Sequence, residues 1–241
     1  MAYDLDTRLV IGLASSALFD LTESDKVFRE SGEELYRKYQ RDNETLPLDQ
    51  GVAFSFIKQL LSLNDISPDD PLVEVVLMSR NDPDTGLRVM NSISYYKLDI
   101  TRAVFLQGRT PHKFIPAFSI SLFLSANEQD VNQAILAGYP AGRVLDSRHV
   151  PWQDEKEVRV AFDFDGVIAD DESESVFQDS DIEKFHRHET DKVAVPHNPG
   201  PLREFLQKLS DIQQKELHHV KSDLSYEPRL RISIVTAPIP T

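Results

Sequence analysis

Apolar residues recur along the chain in strand-sized runs: Arg8 to Leu13, Val73 to Met78, Ala103 to Leu106, Ile120 to Leu124, Val158 to Phe162 and Arg231 to Val235. Most lack strict alternation with polar residues, which is the pattern of strands buried on both faces of a parallel sheet. Helical spacing fills the intervals. Ser24 to Tyr39 opens behind Thr22 and brings Val27, Leu35 and Tyr39 near one face, and Val52 to Leu63 spaces Phe56, Leu60 and Leu63 for a helix. Leu87 to Tyr96 follows a turn, Glu128 to Ala137 stops at the capping residue Gly138, and Pro201 opens a helix that reaches towards Gln214. Strands alternating with helices predict an α/β fold with a doubly wound, mainly parallel sheet and right-handed crossovers.

Two irregular stretches divide this pattern. Asp146 to Glu157 carries Pro151 and mixed charge between two apolar strands, and is the predicted boundary between an α/β half at 1–153 and a second half at 154–241. Trp152 lies at this boundary and reads as an interdomain packing residue. Val193 to Gly200, with Pro196, His197, Asn198 and Pro199, reads as a loop into the next helix.

Composition narrows the function. With 241 residues, 40% of them hydrophobic and 27% charged, the chain has the make-up of a folded protein. It has no Cys, which excludes disulfide frameworks and thiolate nucleophiles or metal sites. A formal charge of -14 repels phosphate backbones and anionic lipid surfaces, so neither a nucleic-acid polymer nor a membrane is an expected partner. The opening Met-Ala-Tyr-Asp-Leu-Asp lacks the charge and apolar run of a signal peptide, and no stretch approaches about 18 apolar residues; the expected location is the cytoplasm. The acidity concentrates at 163–191, where 11 Asp or Glu face only Lys184 and Arg187. After Asp171 these charges read as a solvated face or loop.

Before Asp171 they read as chemistry. Val158 to Phe162 is an apolar strand that runs into Asp163-Phe164-Asp165-Gly166. Residues two apart in an extended segment share a side, so Asp163 and Asp165 face the crevice beyond the strand's carboxyl end, where open α/β sheets bind ligands. Gly166 permits the tight reversal that follows. Two adjacent carboxylates repel each other, and a hard divalent cation, Mg²⁺, relieves that repulsion. Asp163 can then attack phosphorus as a nucleophile, and Asp165 can protonate the leaving alcohol and afterwards activate water. The competing reading is a solvated turn after a strand. Arg231 to Val235 is a second strand, ending in Thr236, whose hydroxyl can donate to a phosphoryl oxygen if the two strands are neighbours.

These residues are familiar as a set. An aspartate motif followed by a strand ending in Thr resembles the haloacid dehalogenase superfamily of phosphohydrolases. More narrowly, Val73 to Gly86 (Val-Glu-Val-Val-Leu-Met-Ser-Arg-Asn-Asp-Pro-Asp-Thr-Gly), Leu98 to Ala103 (Leu-Asp-Ile-Thr-Arg-Ala), Phe123 to Asn127 (Phe-Leu-Ser-Ala-Asn) and Ala161 to Glu174 (Ala-Phe-Asp-Phe-Asp-Gly-Val-Ile-Ala-Asp-Asp-Glu-Ser-Glu) resemble the cytosolic 5′-nucleotidase family, in order, from about Leu9 to Thr236. The resemblance implies Mg²⁺-dependent hydrolysis of nucleoside 5′-monophosphates, with Asp163 and Asp165 as catalytic and metal-binding residues and Thr236 and Gly166 at the substrate. The family pattern continues with an Arg after Ala237 and then a Lys and acidic motifs, whereas here Pro238-Ile239-Pro240-Thr241 follow. That departure makes poor turnover the expectation for this 241-residue chain, with a shallow pocket and an incomplete Mg²⁺ shell.

The first half also fits the superfamily's order in a degenerate form. An offset of 150 lays Leu13 on Asp163, Ser15 on Asp165 and Asp20 on Asp170, removing the first two acids. Val75 to Met78 ends in Ser79 as Ile232 to Val235 ends in Thr236, Lys113 follows the strand at Ala103, and Ile120 to Asn127 is a strand with a polar end. Two related halves, the second incomplete, are expected on this count; any doubly wound domain with Ser or Asn at its strand ends is the alternative. Arg80 and the backbone of Ser79 to Gly86 offer an anion site, or else an ordinary capped loop. His186, His188, His218 and His219 have no zinc-like spacing, and Phe162 and Phe164 read as core.

Three functions stay in play. The first is a soluble nucleotide phosphohydrolase. The second is a catalytically incomplete relative that binds nucleotide or phosphate and acts as an interaction or regulatory protein. The third is a phosphotransferase sharing the aspartyl phosphate. Self-association into an oligomer is compatible with each.

Overall fold

Val73 to Ser79 is buried at every position, and so is Leu9 to Leu13, because each lies inside a sheet covered on both sides. The computed structural model describes residues 4–145, 156–168 and 198–235, and of Asp165 the backbone only. The chain divides into two compact units, Met1–Lys156 and Glu157–Thr241, each described here by itself.

The first unit carries five strands: β1 (Leu9–Leu13), β2 (Val73–Ser79), β3 (Arg102–Phe105), β4 (Leu122–Ser125) and β5 (Ala141–Arg143). All pair in parallel in the order β3-β2-β1-β4-β5, with Leu9 opposite Val73 and Ile11 opposite Leu122. The winding therefore reverses between β1 and β4, as a doubly wound sheet requires. One face packs Val10, Val76, Met78 and Phe123 against Ile115, Ile120 and Ala134. Elsewhere in the unit Phe19, Phe54 and Tyr96 form an aromatic cluster, with Phe54 edge-on to Tyr96 at 4.9 Å between centroids. Glu74, buried near the start of β2, is matched by Arg102 of β3 at 3.1 Å.

The helices are α1 (Ser15–Leu18), α2 (Thr22–Asp42), α3 (Phe54–Ser62), α4 (Pro83–Tyr95) and α5 (Glu128–Leu136). Two of these helices and one strand depart from the sequence expectations. Helix α2 is longer than Ser24 to Tyr39 and is broken at Gly32, whose φ of 78° and ψ of 179° separate two helical pieces. Helix α4 starts at Pro83, not Leu87, because the Asp82 carboxylate accepts the Thr85 N–H at 2.8 Å and Pro83 takes the first turn. Strand β5 was not expected, since Ala-Gly-Arg carries no apolar run; it pairs with β4 and packs Ala141 against the core.

In the second unit β6 (Val158–Asp163) and β7 (Leu230–Val235) pair in parallel, from Val158 opposite Leu230 to Asp163 opposite Val235. Between them α6 (Arg203–Ser222) buries Phe205, Leu209 and Ile212, and Phe205 meets Phe162 edge-on at 6.0 Å. The strand burial here alternates: Val158 and Phe162 are buried and Val160 half-buried, while Arg159, Ala161 and Asp163 are exposed. The expectation of two-sided burial thus holds for β1 and β2 and fails for β6, where a single described helix covers a single face. Phe162 is core as expected, and Phe164 is half-buried.

Helix α6 also runs eight residues past Gln214. Its apolar stripe passes through Glu216, a charge that hides the continuation in the sequence. His218 lies exposed on its last turns, and His219 packs edge-on against Tyr226 at 4.9 Å.

Candidate active site

Strand β6 ends in Asp163, and the chain then turns through one wide helical turn, Phe164–Ile168. Gly166 sits in that turn at φ 70°, a left-handed conformation in which a side chain would be strained, so the glycine is needed where the sequence places it. Asp163 Oδ1 accepts the N–H of Phe164 at 2.8 Å. The turn is tied to the start of α6 by the N–H of Gly200 donating to the Ile168 carbonyl at 2.8 Å. The result is a carboxylate exposed at the carboxyl end of a parallel strand, level with Val235 on its neighbour.

Asp163 suits a hard cation: its donors are carboxylate oxygens, and one of them is oriented by a backbone N–H while the other faces outward. The side chain of Asp165 and all of Thr236 lie outside the described residues. Among the described residues no three metal-ligating side chains converge.

Register between β6 and β7 is fixed from the far end by a residue with no place in the sequence reading. Glu216 of α6 is 1% exposed, and its carboxylate accepts three donors: the Tyr226 hydroxyl and the Arg229 N–H at 2.7 Å, and the Leu230 N–H at 3.2 Å. It satisfies the otherwise orphaned amides at the start of β7 and so sets where Val235 arrives. The signal for it was present as a lone acid on an apolar stripe.

The first unit closes the equivalent strand end. Leu13, at the end of β1, is fully buried, and the Ser15 and Ser79 hydroxyls meet at 3.1 Å just beyond it. Because Leu13 pairs with Leu77 while Asp163 pairs with Val235, a superposition of Leu13 on Asp163 carries Met78, not Ser79, to the sequence position of Thr236. Lys113 lies exposed on the turn Pro111–Phe114.

Arg80 follows β2 and is held by Asp130, whose side chain is 4% exposed: Nε donates to both carboxylate oxygens at 3.1 and 3.2 Å, and Nη2 donates to Oδ1. Asp82 both caps α4 and pairs with Arg37 at 2.7 Å. The stretch from Ser79 to Gly86 is therefore a capped helix start. Above it lies a cavity of about 740 Å³, walled by α2 and floored by residues that follow β2, β3 and β4. Asp25, Phe28, Tyr36 and Arg37 of that wall carry no motif, and only the fold brings them together.

The sequence model of the 5′-nucleotidase family matches residues 1–239. The chain belongs to that family. The match is continuous through both units, so the first unit, without acids at its strand end, is as much part of the 5′-nucleotidase region as the unit with Asp163. Human cytosolic 5′-nucleotidase 1B is 33% identical over 234 residues, covering 95% of this chain. The chain spans 38% of the length of that relative. No solved structure matches it.

Proposed function

We propose that the chain carries the nucleophile of an Mg²⁺-dependent 5′-nucleotidase acting on nucleoside 5′-monophosphates. The observation that supports this most directly is the family match over residues 1–239 together with an exposed Asp163 carboxylate at the end of a parallel strand. Asp163 attacks phosphorus, the bond to the 5′ oxygen breaks, and the Asp165 carboxylic acid gives that oxygen its proton, leaving nucleoside and an aspartyl phosphate. Asp165, now a carboxylate, takes a proton from water as the water attacks phosphorus, which releases phosphate and restores both residues. Thr236 donates to a phosphoryl oxygen, and Gly166 lets the backbone approach it. Asp163 and Asp165 would hold Mg²⁺, which when bound supplies charge to offset the carboxylates and the phosphoryl group. Arg80, the remaining substrate candidate, commits its Nε and Nη2 to Asp130 and is given no part in the phosphoryl step.

Residues 1–153 are proposed as a degenerate half without chemistry of its own, and 154–241 as the start of the catalytic half. The relative is cytosolic by name, and the same compartment is proposed here; among the described residues no helix is long and apolar enough to cross a membrane. The test is phosphate release from nucleoside 5′-monophosphates with Mg²⁺, with chelator, and in Asp163→Asn. Turnover that is lost in both controls supports the reading. Turnover retained by Asp163→Asn refutes the nucleophile. Binding of nucleotide by the wild type without turnover supports the alternative, a binding or regulatory relative, and transfer to an added alcohol supports a phosphotransferase.

A further inference from the structure

The cavity of the first unit has the size and the place of a ligand site. Its volume of about 740 Å³ lies within the range of small-molecule pockets, and it opens above the carboxyl ends of parallel strands. Its chemistry then limits what can enter.

Both features that would attract a phosphate are already taken by protein carboxylates. Arg37 pairs with Asp82 at 2.7 Å and with Glu33 at 2.8 Å, and Arg80 pairs with Asp130. The N-terminus of α4 is filled by the Asp82 side chain. Asp25, Glu33 and Asp82 outnumber the two arginines in the lining, so a phosphate entering would meet net repulsion. What the lining offers in place of cations is an aromatic surface and amides. Phe28 is 50% exposed and stands edge-on to Tyr36 at 5.5 Å, and the Asn81, Gln107 and Asn127 amides surround the floor. The Tyr36 hydroxyl donates to Asn81 Oδ1 at 3.2 Å, which leaves Asn81 Nδ2, a buried donor, without a hydrogen-bond partner. The acids of α2 can accept hydrogen bonds from ligand hydroxyls.

An uncharged heteroaromatic ring carrying hydroxyl groups satisfies every part of that description, and a phosphorylated one does not. We propose that this cavity binds a nucleoside, by stacking on Phe28 and hydrogen bonding to the amide floor, at a site lined by residues of the first unit. The inference stands on the cavity's own residues and does not require Asp163 to turn over substrate. If the activity proposed above also holds, the site takes the uncharged product of that reaction and discriminates against its charged substrate.

The test is calorimetric titration of the 241-residue chain with adenosine and uridine and with their 5′-monophosphates, in the wild type, Phe28→Ala, Asn81→Asp and Asp163→Asn. Phe28 is half exposed, so its truncation leaves the fold intact. Loss of one stacking platform is expected to weaken nucleoside binding about tenfold or more, while Asp163→Asn leaves nucleoside binding unchanged. The nucleotides are expected to show no component that depends on Phe28. The proposal is overturned if nucleosides fail to bind at about 1 mM, the weak limit of a specific site. It is equally overturned if Phe28→Ala leaves their affinity unchanged, if Asp163→Asn abolishes it, or if the monophosphates bind more tightly than the nucleosides at a Phe28-dependent site. Loss of phosphate release in Asp163→Asn bears on the nucleotidase reading alone, so the two proposals fail independently.

Discussion

Replacing Glu216 by Ala should loosen the start of β7 and, with it, the register that brings Val235 level with Asp163. The carboxylate is almost fully buried and accepts the Tyr226 hydroxyl, the Arg229 N–H and the Leu230 N–H, two of these at 2.7 Å and one at 3.2 Å. Hydrogen bonds to a charged group contribute about 1.5–3 kcal/mol each, and a buried donor left unsatisfied costs about 1–3 kcal/mol, so truncation should cost about 3–6 kcal/mol. Domains are stable by only about 5–15 kcal/mol, so the second unit would lose a large part of its margin. Glu216→Gln is the milder change. It keeps an oxygen for Tyr226 and Arg229 but sets an amide donor against the Leu230 N–H, for a cost of about 1–3 kcal/mol. Amide hydrogen exchange followed residue by residue is the appropriate assay, because two units need not unfold in one step. The Arg229 and Leu230 amides should exchange about 100-fold faster or more in Glu216→Ala, the factor that corresponds to about 3 kcal/mol. If both amides keep wild-type protection, and urea unfolding moves by less than about 1 kcal/mol, Glu216 does not hold the strand and the argument fails.

Gly86→Ala should destabilise the first unit by about 1–3 kcal/mol, read as a lower melting temperature, because a Cβ there would lie 2.6 Å from Cζ of Phe105 and closer still to Cε1 and Cδ1. Asp130→Ala should cost about 1.5–3 kcal/mol by removing the charged acceptor of Arg80, and the double variant with Arg80→Met should recover much of that loss in urea unfolding. Three carboxylates titrate below their ordinary range: Asp20 through the Thr22 hydroxyl and N–H, Asp223 through the Ser225 hydroxyl and N–H, and Glu157 beside Arg159 and Arg231. A carboxyl group depressed in the folded state contributes stability that is complete above its unfolded value near 4 and is lost as pH falls through the lower folded value. Melting temperature should therefore drop below about pH 4, and Asp20→Asn should reduce the slope of that drop.

Much of the architecture could be read from apolar runs, because β1 and β2 are buried on both faces and admit few polar positions, the Glu74 paired with Arg102 and the Ser79 hydrogen-bonded to Ser15. The Asp163 turn was equally plain, since a strand, two acids and a glycine each require their neighbours. What escaped were features created by partners distant in sequence. Strand β5 is three residues whose apolar content is Ala141, and its pairing with β4 defines it. Gly86, taken as turn chemistry, lies inside α4, where it admits the Phe105 ring. Glu216 ended the predicted helix because a buried acid looks like a solvated one until its three donors are in place.

The closed strand end of the first unit limits what chemistry could be built there. Leu13 is fully enclosed, and the hydroxyls of Ser15 and Ser79 satisfy each other beyond it. An aspartate introduced at Leu13 would place a charge where no cation is matched to it and no water reaches it, at a cost of several kcal/mol. A carboxylate site there demands simultaneous change at Leu13, Ser15 and the packing around them. Each single step on that route costs stability before it offers a nucleophile, so the end of β1 is held closed by the quality of its own core.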